Sequence, residues 1–175
     1  MRENSAKPVA LGGVTAALAL VIMCMGGLIP VATYVCPMLC AIILSFVLHL
    51  CGKRIAWAWY GVVSILSALL GPDKEAAAVF VFLGYYPILK PRMDRLPLAP
   101  VWKLLLFNIA VLLMYAVLIR ILGMEQLVSE AREMGTVLLI VMLILGNATF
   151  ALLDLVLKRL ARKFLRQGNG SGGTK

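Results

Sequence analysis

The sequence predicts an all-α integral membrane protein: a six-transmembrane-helix bundle with both termini cytoplasmic and a short amphipathic helix in the last outer loop. Three observations carry this. The 175 residues are 62% hydrophobic and only 14% charged, with a mean hydropathy of +0.97, too little polar surface to clothe a water-soluble fold. The apolar residues fall in runs near bilayer length. The charges bunch between those runs and are distributed unevenly between alternate connections. Residues 1–166 are expected to form one membrane domain, followed by a flexible cytoplasmic tail over 167–175 that is rich in Gly.

The first span, Val9 to Leu28, follows Arg2 and Lys7 as the apolar part of a signal peptide would. It is about 20 residues long and runs on into Gly26-Gly27-Leu28-Ile29-Pro30 without a small-residue cleavage site, so it should remain as an anchor. Pro30 interrupts the chain before the second span, Ala32 to Leu50, and Cys51-Gly52-Lys53-Arg54 makes a short charged turn. The third span, Ile55 to Leu70, stops at Gly71-Pro72, and the fourth runs from Glu75 to Leu89. The fifth and sixth are Val101 to Leu122 and Gly135 to Leu157. At about 15 residues, roughly 23 Å of helix, the third and fourth are short enough to be re-entrant instead.

Charge decides that question, because every crossing inverts the sidedness of all that follows. With six crossings, one side holds all 17 basic residues except Lys74, Arg120 and Arg132, and the positive-inside rule makes it the cytoplasm. If the fourth segment failed to cross, the basic stretch Lys90 to Arg95 would face outward and break the pattern. The net charge of +9 is thus an orientation signal, and nucleic-acid binding is rejected. In the longest outer connection, apolar residues at 124, 127, 128, 131 and 134 have helical spacing, which predicts the amphipathic helix. Beyond Arg159, Leu160, Phe164 and Leu165 among basic residues read as an extension of the sixth helix toward anionic headgroups.

Membrane enzymes need charged or metal-binding groups at depth. No paired carboxylates, His-x-x-x-His or His-Glu pattern occurs in the spans, so the chain is not expected to be an enzyme, and no cofactor is expected. Cys36 and Cys40 share a helical face near Met23-Cys24-Met25, soft donors that would suit Cu(I). Sulfur side chains are routine helix packing in lipid, however, and no metal site is assigned. The lone His49, beside Lys53 and Arg54, reads as interfacial, as do Trp57, Trp59, Tyr60 and Trp102.

The few polar groups within or beside the spans are then the informative ones. Asn108 and Asn147 lie at depths differing by only ~5 Å and could face one another, either as an interhelical hydrogen bond or as a shared contact to a ligand. Asp154 precedes Lys158 by four residues, the spacing of a helical ion pair. In Gly71-Pro72-Asp73-Lys74-Glu75, the carboxylates suit the start of a helix. Lys74 and Arg120 are cations that an anionic ligand entering from outside would need, and Tyr34 and Tyr115 could form a stacking wall beside it. The first span is dense in small residues. Gly12/Ala16 and Gly13/Ala17 are small-xxx-small pairs that let a second helix approach, within the chain or from a partner.

With its size, its six predicted spans and its Ala- and Gly-rich first helix (Ala10 to Ala19), the sequence resembles the substrate-binding S components of energy-coupling-factor transporters. The resemblance implies that Gly12, Gly13, Ala16 and Ala17 dock on a membrane coupling subunit driven by ATPases. It also implies a vitamin-like small molecule or metal ion held near the outer side, with Lys74, Tyr115, Arg120 and Asn147 near it. Tyr34, at the outer mouth of the second span, joins them as a candidate ligand contact on the stacking argument. Strict Ala-x-x-x-Ala occurs only at Ala6 and Ala10. An alternative reading is a non-catalytic membrane scaffold similar to MreD-type rod-shape determinants, which needs helix faces and basic loops but no ligand site.

Overall fold

The computed structural model describes residues 3–25, 32–120, 123 and 125–170, and all of its regular structure is helical. In chain order the helices are α1 (Glu3–Met25), α2 (Ala32–Cys51), α3 (Lys53–Leu70), α4 (Lys74–Leu83), α5 (Tyr86–Met93), α6 (Ala99–Arg120) and α7 (Glu125–Gly170). Three stretches among the described residues are long and apolar enough to cross a bilayer: Ala6–Met25, Thr33–Cys51 and Ala99–Arg120. The Gly26 to Pro30 punctuation, Arg2 and Leu122 lie outside the described residues, as do the last five positions of the tail and the side chains of the predicted amphipathic segment.

At the centre stands α2, packed against α1, α3, α4, α5 and α7. Its approach to α1 is close because the facing residues are small: Ala19 and Cys40 are both fully buried, and the Cys40 thiol donates to the Ala19 carbonyl at 3.5 Å. A further tight contact joins α1 to α3, where Gly12 is buried and a Cβ there would lie 3.2 Å from Ile55 Cγ2. The α2–α3 turn pivots on Gly52, whose φ of 86° lies in the region that only glycine enters freely.

The sequence expectation and the fold differ at three places. The predicted fourth span is two helices, α4 and α5, separated by a turn at Gly84–Tyr85. Pro87 is responsible: it lacks the N–H that would bond the Leu83 carbonyl, and its ring crowds that carbonyl, so the helix is interrupted just before it. The segment expected as the last outer connection is helical but not a separate helix, since α7 runs unbroken for 46 residues, about 69 Å, through the predicted junction at Gly135 and into the tail as far as Gly170. A lone interior glycine costs only about 1 kcal/mol and does not end a helix. Trp59, assigned to the interface, is instead 3% exposed. Its indole N–H bonds Thr15 Oγ1 at 3.1 Å and its ring meets Phe80 edge-on, whereas Trp57 and Trp102 remain exposed.

Candidate functional site

Polar side chains gather at three levels along α6, reached by Lys103, Asn108 and Tyr115. The first and last of these are separated by about 18 Å of helix rise. The Tyr115 level is completed from α2 and α4, the Asn108 level from α7, and the Lys103 level from α5 and α7.

At the Tyr115 level the α3–α4 turn supplies the anchors. Asp73 caps α4, accepting from Ala76 N at 3.0 Å through Oδ1, while its Oδ2 accepts from Thr33 at the start of α2 at 2.7 Å. Glu75, in the first turn of α4, then receives two phenol hydroxyls on the same oxygen: Tyr34 at 2.8 Å and Tyr115 at 3.1 Å. The structure thus unites the two predicted tyrosines, but around a carboxylate, Glu75, whose place in the first helical turn the helix dipole alone accounts for. Lys74 bends back to the end of α3, donating to the carbonyls of Ala68 at 3.0 Å and Gly71 at 3.1 Å. It therefore serves as a C-terminal cap, where a cation complements the helix dipole. Arg120 is exposed at the last residue of α6.

At the middle level, Asn108 and Asn147 exchange hydrogen bonds of 3.0 and 3.4 Å, and each also donates to the carbonyl one turn earlier in its own helix, Leu104 or Leu143, at 2.8 Å. Asn147 therefore divides its amide group between α6 and its own helix.

The Lys103 level holds the densest charge. Asp154 of α7 accepts from Tyr86 at 2.5 Å and from Lys90, both on α5, and receives Lys103 of α6 on both oxygens at 3.1 Å. Lys103 also donates to Asp94, which lies 3.7 Å from Lys90. Both lysines are buried. Directly beneath lies an aromatic stack in which Phe150 is 4.7 Å from Phe107 on one side and 4.7 Å from Tyr86 on the other. The expected Asp154–Lys158 pair does not form, because Asp154 turns inward to the two lysines. Sequence reasoning missed this cluster, although a signal was present: Lys103 and Asp154 are ionisable residues just inside their spans, at matching depth from the same basic end, and such groups require partners.

On α1 the four predicted docking residues divide. Gly12 and Ala16 are buried against the bundle, whereas Gly13 and Ala17 are exposed, and nothing lies within 4 Å of a Cβ built at Gly13.

Fold and site together define an all-helical protein with three described helices able to cross a bilayer and its polar groups tiered along one of them. Compared with known proteins, the chain matches no family model, no curated protein and no solved structure.

Proposed function

We propose that the chain is the membrane-embedded substrate-binding subunit of an ATP-driven uptake transporter, acting with a coupling subunit and ATPases to admit a vitamin-like small molecule or metal ion. In this reading it crosses a bacterial-type plasma membrane six times with both termini cytoplasmic. The kinked pair α4–α5 makes the fourth crossing, since its 20 residues from Lys74 to Met93 amount to about 30 Å of helix. The observation that carries the reading is the convergence of Tyr34 and Tyr115 on Glu75, at the end of the bundle away from the basic loops. Two aromatic rings beside a carboxylate offer a solute a stacking surface and a hydrogen-bond acceptor together. The exposed Gly13/Ala17 face of α1 suits close approach of a coupling subunit.

A scaffold of the MreD type is favoured by a different observation, the mutual satisfaction of Asn108 with Asn147 and of Asp154 with its lysines, which bolts helices together without a ligand. The two readings separate on gentle purification of the tagged chain from its native membrane, with mass spectrometry of the retained proteins and small molecules. Paired ATPases and a membrane coupling subunit are the expected companions. Cell-envelope assembly proteins with no retained solute would replace the transporter reading with the scaffold.

A further inference from the structure

The charged cluster at the Lys103 level borders a cavity of about 350 Å³, lined by Asp94, Ala99, Pro100, Lys103, Asp154 and Lys158. A set of ion pairs that only held α5, α6 and α7 together would need no such space, and burying lysines for that purpose brings little net stability. The charge balance indicates what the space suits. Lys90 and Lys103 neutralise Asp94 and Asp154, and both Asp154 oxygens are occupied by donors. Lys158 also lines the cavity, yet it makes no ion pair among the described residues, so its ammonium is the uncompensated charge. Lys103 faces the same space, and an ammonium carries three protons to share among its acceptors.

We propose that this pocket is a binding site for the phosphate group of an anionic ligand, held between Lys158 and Lys103. The site lies at the basic end of the bundle, one turn of α7 from Arg162, where the local field further favours an anion. Two sources share this chemistry: the headgroup of an anionic phospholipid and a free phosphate. The inference stands apart from whatever the Tyr34–Glu75–Tyr115 end binds.

The test uses the full chain purified in detergent, with thermal unfolding followed as dioctanoyl phosphatidylglycerol or inorganic phosphate is added against sodium chloride of matched ionic strength. Saturable stabilisation by at least one phosphate probe is expected. Lys158→Ala should raise its half-saturating concentration about ten-fold, the value of one charge-assisted hydrogen bond. Lys163→Ala removes an equal charge from the same helix outside the pocket and should shift it less than about two-fold. Saturation by phosphatidylglycerol alone assigns the lipid headgroup, and saturation by inorganic phosphate as well shows that the phosphate suffices. Stabilisation no greater than that by chloride, or equal half-saturation in the native chain and Lys158→Ala, overturns the proposal. Lys158 is exposed, so its loss leaves the buried ion pairs and the fold intact.

Discussion

Asn108 and Asn147 illustrate how a polar side chain is tolerated among apolar helices. Each amide satisfies its own helix and its neighbour at once, so neither donor is stranded. Interhelical hydrogen bonds of this kind contribute about 1 kcal/mol. Asn147→Leu should therefore lower the unfolding free energy in detergent by about that amount, because Asn108 keeps its polar atoms but loses its partner. Adding Asn108→Leu should recover most of the loss, since both polar groups then leave together. A double variant as unstable as the sum of the single ones would show that the two residues act independently. That they could face each other was legible in the sequence from depths only ~5 Å apart, but not whether they would bond one another or share a ligand. The partners of Asp154 were legible only in part: Lys103 lies at a matching depth, but the local spacing to Lys158 offered a competing solution, and Tyr86 and Lys90 reach Asp154 only through the packing of α5.

Among the elements, α1 shows how one sequence feature can have two uses. Its small residues lie at successive positions, so the pair Gly12/Ala16 and the pair Gly13/Ala17 are rotated by about 100° from each other around the helix. The first pair admits α3, where a Cβ at Gly12 would already press on Ile55 Cγ2 at 3.2 Å, and the second faces away from the bundle. Gly12→Leu should thus cost about 1–3 kcal/mol of stability through overpacking against Ile55. Gly13→Leu together with Ala17→Leu should leave the melting temperature of the isolated chain nearly unchanged while abolishing recovery of a coupling subunit. Equal destabilisation by both sets of substitutions would remove the division between the two faces. Periodicity alone revealed the small residues but not which pair faced inward, because that depends on where α3 returns. The break between α4 and α5 was also foreshadowed only in part: Pro87 is visible in the sequence, yet the apolar run continues across it and hydropathy alone does not register the missing hydrogen bond.

For the whole molecule, the helical class was legible in the apolar runs, and three of the described helices are long and apolar enough to cross a bilayer; the six proposed crossings need α3, the kinked α4–α5 pair and α7 as well. The charges provide the stronger argument. Lys90 and Arg92 stand in the last turns of this pair and Arg95 follows it, while Asp73 precedes it and Lys74 and Glu75 open it, and placing the basic stretch outside would oppose the bias of the other charged connections. The structure adds a packing reason for treating the two helices as one crossing segment. Tyr86 and Lys90 reach Asp154 at one end, and Glu75 meets Tyr115 at the other, so α4–α5 spans the same two polar levels as α6. Sidedness can be read chemically after Cys24, Cys36, Cys40 and Cys51 are replaced by alanine. A single cysteine is then introduced at the exposed Pro72 or Leu96 and challenged in intact cells with a membrane-impermeant maleimide. Pro72→Cys should react from outside, and Leu96→Cys only after the membrane is opened. Labelling of both from outside would mean that α4–α5 enters and leaves on one side, and labelling of Leu96→Cys alone would invert the whole bundle. The expected pattern would put the lysine-lined pocket on the cytoplasmic side, within reach of the inner leaflet's anionic headgroups, and the tyrosine–carboxylate cluster at the face where an imported solute arrives.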